Sequence, residues 1–480
     1  MLKIKNYMLK NHNLIYILFL WITLCASINV YPKPIGDFFI NFNNLNDLEK
    51  NSTFYLTTIK NIINFLRVYL PFFLILTTVI IIFYNKKKLN KNNFFIIFLL
   101  YIFFQALGTT LNNDRSFLFE KIQLLLNAAH IVIATYLIFL FKLEKFLYLF
   151  LIITIFSIFI IVKTHLYYII IEFLNIPFSK YLYGTQTWQE NFLDNAFIRV
   201  TGLSRSLTLV VILLFFLLYQ KRNNFLIRNL LGFIFFISFF FIYWLQSRTS
   251  IYLAPLITII SIFFIYKINK ILSIKSFAFI IVCFSLSLFL INGIFEYKKG
   301  IFKYKLNLEN NLENNLENKD EISNNNEEIN YNDKNRLLIK NNISSNRFYI
   351  WKQIFKNYDY SKIFGYGIQG DRFVFGKSFV FNKYNFYNNS SNAFIYSFIT
   401  AGYFGIFFFI LINVYILSKI YLIFRKKKFY KHSLYLNTAI VSILFLIIRN
   451  IVENNYAVFG TDMVFFLIYS SIIIHESKKI

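Results

Sequence analysis

The sequence predicts an all-α polytopic membrane protein of about twelve transmembrane helices, with one large extracytoplasmic loop before the last three spans. Three observations carry this. The chain is 57% hydrophobic and only 15% charged. Its apolar runs repeatedly reach the ~20 residues that cross a bilayer. Its lysines gather in short connections between those runs, the pattern that orients membrane helices.

The elements follow in order. The amino terminus is basic through Lys3, Lys5 and Lys10, and an apolar run over 14–30 comes next. That layout suits a signal peptide, with Ala26 and Ser27 as a cleavage region. Removing it would disturb the parity of the later loops, so the run is read as an uncleaved first helix. The second span covers 66–84 and is closed by Lys86, Lys87, Lys88 and Lys91. The third covers 94–111, the fourth 122–141 and the fifth 146–162, with Asp114 and Arg115 in one turn and Lys142 and Lys145 in another. A polar and aromatic loop then runs to Arg199, and its stretch 166–174 has the Tyr and Ile content of an interfacial segment. The sixth span ends near Tyr219 and is followed by Lys221, Arg222 and Arg228. Spans seven and eight meet at Gln246, Ser247 and Arg248, and the ninth covers 277–295 after Lys267, Lys270 and Lys275.

This divides the chain into an N-terminal bundle over 1–296, a loop over 297–392 and a C-terminal bundle over 393–480. The first half of the loop contains NLENNLENNLEN at 307–318 and further Asn and Glu, too polar to bury a core. The second half carries the motifs. The last spans are 393–417, 434–452 and 462–474, and Arg425, Lys426, Lys427, Lys428 and Lys431 separate the first two. With the amino terminus inside, every lysine-rich short loop and the tail with Lys478 and Lys479 fall in the cytoplasm, whereas only Glu144 and Glu476 among the acidic residues do. Both termini are then cytoplasmic and the large loop is extracytoplasmic.

The net charge of +27 follows this topology and an Asn, Ile, Lys, Phe and Tyr surplus. No basic face with interleaved aromatics is present, so nucleic acid is not an expected partner. Cys25 and Cys283 both lie in apolar runs and read as core residues. Neither a metal site nor a cofactor is expected.

Topology also sorts the polar residues. Arg199, Arg205, Arg248, Arg347, Asp371, Arg372, Arg449, Glu453 and Asp462 fall on the outer side or in the outer ends of spans. An ionisable group costs at least ~2.5 kcal/mol near the bilayer centre unless it is paired or wet. Any one arginine alone could snorkel to the interface. A set of them runs against the positive-inside bias, and arginine offers planar bidentate recognition of phosphate that lysine lacks. The set therefore points to a diphosphate headgroup.

Five motif elements occur in order: RVTGLSRS at 199–206, QSRTS at 246–250, NRFYIW at 346–351, FGYGIQG at 364–370 and SNAFIYSFITAGYFGI at 391–406. They resemble the R-x-x-G, S-R-T/G, R-x-x-x-W, G-x-G and H-N-x-x-L…G-x-x-G elements of the O-antigen ligase and polymerase family. The resemblance implies a metal-independent glycosyltransferase of the bacterial inner membrane. It would use undecaprenyl-diphosphate-linked oligosaccharide at the periplasmic face, with a glycan or lipid A-core as acceptor. It adds membrane lipid and a polysaccharide chain-length regulator to the expected partners.

Where many family members have His-Asn, this chain has Ser391-Asn392. In ligases that histidine is implicated as the base, and a serine has no accessible pKa near neutrality. The departure favours polymerisation over ligation. The catalytic candidates are then Glu453, Asp371 and Arg347, and the substrate-binding candidates are Arg199, Arg205, Arg248, Arg347, Trp351, Arg372, Ser391, Asn392 and Arg449. Glu453 is also read as the i to i+4 partner of Arg449. Gly365, Gly367 and Gly370 suit tight turns, and Gly402 and Gly405 suit close helix packing. A lipid-linked oligosaccharide flippase is the rival from another class, but it calls for paired halves and midplane acids, which the sequence lacks.

Overall fold

The computed structural model describes residues 93–111, part of 122–135, 200–220, 224–244, 248–266, 274–275, 277–293, 347–368, 370–371, 374, 390, 392–425, 434–451, 453 and 461–479. The first, second and fifth spans, the interfacial stretch 166–174, the Asn- and Glu-rich repeat, Cys25, Arg199, Arg372 and Ser391 lie outside the described residues. Among the described residues the secondary structure is α-helical, with no strand.

The helices divide between two compact units. The first unit contains α1 (Asn93–Leu111), α6 (Arg347–Asn357), α7 (Ala393–Arg425), α8 (Leu434–Arg449) and α9 (Thr461–Lys479). The second contains α2 (Val200–Gln220), α3 (Phe225–Trp244), α4 (Arg248–Tyr266) and α5 (Phe277–Gly293). Three of them, Asn93–Leu111, Phe225–Tyr243 and the α7 stretch, are long and apolar enough to cross a membrane. Shorter apolar helices accompany them in the chain, as in an all-α membrane protein.

In the second unit α2 packs against both α3 and α4. Asn224 caps α3, its Oδ1 accepting the Ile227 N–H at 3.2 Å, and so satisfies a first-turn donor. Aromatic contacts join α3 to α5, with Phe235 and Phe279 ring centroids 5.7 Å apart and those of Tyr243 and Phe284 5.3 Å apart.

In the first unit α7 lies along α1 and also packs on α9, which in turn packs on α8. Stacked Phe104, Phe404 and Phe408 fasten α1 to α7, the first two with centroids 4.5 Å apart. A buried Tyr101 hydroxyl meets the Ser397 hydroxyl at 2.8 Å across the same interface.

The tenth span departs from the uninterrupted run over 393–417 read from the sequence. Helix α7 reaches Arg425 but breaks at Ala401 (φ −135, ψ 15) and Gly402 (φ 61, ψ −145). Such a break leaves the preceding carbonyls without their helical donors, and a neighbouring turn supplies replacements. The Tyr366 N–H donates to the Ile399 carbonyl at 2.7 Å, and the Gly367 N–H donates to that of Thr400 at 3.0 Å. Helix α8 stops at Arg449 rather than continuing to 452, and α9 extends past 474 to Lys479.

Candidate functional site

The chain around Ser390 and Asn392 is held from three sides before α7 begins. The Trp351 indole Nε1–H of α6 donates to the Ser390 carbonyl at 2.7 Å. The Ser390 N–H donates to Asp371 Oδ2 at 2.9 Å, and that carboxylate is buried at 2% exposure. Asn392 works in two directions. Its Oδ1 accepts the Ile395 N–H at 3.0 Å and caps α7, while its Nδ2–H donates to the Ile451 carbonyl at 2.7 Å. The Ala393 N–H adds a bond to the Asn450 carbonyl at 3.0 Å. Three separated sequence stretches therefore fix one short segment.

Arg449 and Glu453 stand at the edge of this arrangement, where α8 ends. Arg449 is fully buried, and its Nη2 lies 3.9 Å from Glu453 Oε2, the i to i+4 pairing read from the sequence. The Glu453 N–H donates to the Arg449 carbonyl at 2.8 Å, an i to i+4 bond past the helix end that keeps the two residues together. Asp462, buried in the first turn of α9, places negative charge at a helix N-terminus, where the helix dipole favours it.

The glycines beside the site have separate reasons. Gly365 (φ 69) and Gly367 (φ 78) adopt backbone conformations that side chains disfavour, as the turn reading requires. Gly402 is a break in α7 as well as a close approach: a Cβ there would run into the Ile363 carbonyl oxygen. Sequence reading missed Gly108 and Thr109 of α1. A Cβ at Gly108 would meet the Phe364 oxygen, and Thr109 Oγ1 accepts the Ile368 N–H at 3.0 Å. A glycine and hydroxyl pair in an otherwise Phe- and Ile-rich helix was the available signal.

Tyr358 and Tyr366 pack beneath this turn, their ring centroids 5.4 Å apart. Burial pushes both phenols above the usual tyrosine range, and for Tyr366 a hydrogen bond from the Asp359 N–H opposes the rise. Neither serves as a base at neutral pH. Among the described residues no three His, Cys, Asp or Glu side chains cluster as metal ligands would.

The remaining site candidates fall as follows. Arg347 opens α6 and Arg248 opens α4, their side chains outside the described residues. Arg205 lies half-buried in the first turns of α2. Its neighbour Ser204 meets Ser250 of α4 at 3.0 Å between hydroxyl oxygens, so the RVTGLSRS and QSRTS stretches adjoin within the second unit. Trp351, Asp371 and Asn392 converge in the first unit, and Arg449 and Glu453 sit beside them.

Residues 233–410 match the family model described as O-antigen ligase. The resemblance read from the motifs to an O-antigen ligase and polymerase-like family is thereby shown over that stretch. The match contains Arg248, Arg347, Trp351, Asp371, Arg372, Ser391 and Asn392, whereas Arg199, Arg205, Arg449 and Glu453 lie outside it. Comparisons with curated proteins and with solved structures gave no match.

Proposed function

From the O-antigen ligase match we propose that this membrane protein transfers glycan from an undecaprenyl-diphosphate carrier to a hydroxyl of a second lipid-linked glycan, and so polymerises a surface polysaccharide. The acceptor oxygen forms the new glycosidic bond at the donor's anomeric carbon as the bond to the diphosphate breaks. The acceptor's proton passes to a base, and undecaprenyl diphosphate leaves.

The observation that carries the reading is the constraint on Ser390 and Asn392, inside the matched stretch, in a sequence with no histidine at position 391. That position cannot supply the base, so a carboxylate takes the role. We assign it to Glu453, whose side chain is 15% exposed and lies 3.9 Å from the Arg449 guanidinium. Asp371 is committed to the Ser390 N–H and acts as a positioning residue.

Arg347, Arg372 and Arg449 of the first unit supply positive charge for the departing diphosphate, a form of stabilisation that needs no metal, and Arg199, Arg205 and Arg248 of the second unit are candidates tested separately. Trp351, Ser391 and Asn392 shape the acceptor side. The reaction runs at the periplasmic face of the inner membrane, with the chain-length regulator as a partner.

The test is the length distribution of surface glycan in cells carrying Arg347→Ala or Arg199→Ala at normal protein level. Loss of long chains is expected, since removing one such donor costs about 2.7–4 kcal/mol of barrier lowering. Unaltered long chains would remove these residues from the mechanism. Ligation to lipid A-core is the second reading, favoured by the match to the O-antigen ligase family. It predicts that single repeat units also fail to reach the lipid A-core when the protein is lost, whereas polymerisation leaves them attached.

A further inference from the structure

Helix α6 has two faces of different character. The inner face packs Ile354, with the following Tyr358, into a cluster that includes Phe398 and Ile399, and Trp351 leans on the same cluster. The outer face exposes Phe348 (68%) and Phe355 (40%), one above the other at i and i+7, with Lys352 and Lys356 exposed beside them. Tyr360 and Ile363 extend the exposed apolar surface through the following turn, each more than half exposed. Asp359, the acidic residue there, is taken up locally by the N–H and hydroxyl of Ser361.

The break in α7 sets the height of this face. From Tyr403 to Arg425 the helix spans about 34 Å at 1.5 Å per residue, enough alone for the ~30 Å hydrocarbon core. Tyr403, Phe407, Ile410 and Val414 are exposed along it, as lipid-facing residues would be. One boundary of the core therefore lies near Tyr403. The Phe398 ring is 5.6 Å from that of Tyr403, 6.1 Å from Phe355 and 6.5 Å from Tyr360, centroid to centroid. The outer face of α6 stands at the same level.

We propose that α6 and the turn after it rest on the phospholipid surface at this boundary. Phe348, Phe355, Tyr360 and Ile363 enter the headgroup layer, and Lys352 and Lys356 meet lipid phosphates. Aromatic rings and lysines on one face of a short helix are the chemistry of an interfacial segment. The alternative occupants, a second copy or another protein, would not account for the match in height with the end of a span. Because Trp351 on the inner face holds the Ser390 carbonyl, the membrane seat also sets the position of the candidate site. The inference does not depend on the glycosyl-transfer reading.

The test uses the full chain in lipid nanodiscs, with Cys25 and Cys283 replaced by alanine and an environment-sensitive fluorophore placed through Phe348→Cys or Phe355→Cys. Phe407→Cys serves as the lipid-facing reference and Lys478→Cys as the water-facing one, each variant first shown to be monodisperse. Blue-shifted emission at both α6 positions, quenched more by headgroup-labelled than by deep acyl-labelled lipid, is expected. Phe407→Cys should show the opposite preference. Quenching should also be stronger in discs containing phosphatidylglycerol than in pure phosphatidylcholine, and Lys352→Gln with Lys356→Gln should abolish that difference. Water-like emission at both positions overturns the proposal. Blue-shifted emission without lipid quenching overturns it too, because protein then covers the face.

Discussion

Glu453 and Asp371 are two carboxylates near one segment, and the proposed mechanism gives them different roles. Asp371 is buried and accepts a backbone N–H, whereas Glu453 keeps partial exposure beside Arg449. Under the proposed mechanism, Glu453→Gln lowers glycosyl transfer by about 10²–10⁴-fold, the range for a lost general base, at unchanged protein level. Glu453→Asp restores part of the rate. Equal rates for wild type and Glu453→Gln would take the base role from this residue. Asp371→Ala leaves the Ser390 N–H without this acceptor and costs about 1–3 kcal/mol, to be read as a lower midpoint in thermal unfolding of the detergent-solubilised protein. An unshifted midpoint would show that the contact contributes nothing to holding the segment.

At the scale of elements, the defining feature is the interrupted α7 with a glycine turn set against the break. A single substitution tests strain and packing there together. Gly402→Ala introduces a side chain at φ 61, ψ −145, a region essentially confined to glycine that costs about 1–3 kcal/mol, and directs it at the Ile363 carbonyl. A marked fall in thermal stability is expected. Gly293→Ala is the control, because a Cβ there meets nothing within 4 Å, and alanine in a helix is worth about 0.5–1 kcal/mol over glycine. Its stability should hold or rise.

The same element marks where sequence reading stopped. Hydropathy located α1, α5 and α8 to within about three residues and placed the end of α2 and the junction between α3 and α4, since span length is fixed by the bilayer. The break in α7 was not legible, because Ala401 and Gly402 sit inside an apolar run and the cause lies in a turn some forty positions upstream. The turn itself was legible from Gly365 and Gly367. Its docking partners Gly108 and Thr109 were not, for they belong to no motif and act only through a long-range backbone contact.

For the whole molecule, the sequence supplied the all-α membrane class, the motif order and the family resemblance, and it singled out Trp351, Asp371 and Asn392. It did not separate the two carboxylate roles, which depend on burial and on one amide hydrogen bond. Nor did it show that Ser204 and Ser250 bring two motif stretches together, because hydroxyl pairing between helices leaves no periodic trace. Exchanging Ser204 and Ser250 for alanine together should cost about 1 kcal/mol or less, the scale of interhelical hydrogen bonds in membrane proteins, and should leave a folded chain for assay.

Transfer from a lipid diphosphate is the step on which the proposed function depends. The most direct measurement supplies the purified full-length protein, reconstituted in liposomes, with undecaprenyl-diphosphate-linked oligosaccharide alone. Products one and more repeat units longer, formed together with free undecaprenyl diphosphate and lost in Glu453→Gln, are predicted. Consumption of no donor by a folded, correctly inserted protein, or movement of intact donor across the bilayer without any new glycosidic bond, would contradict it.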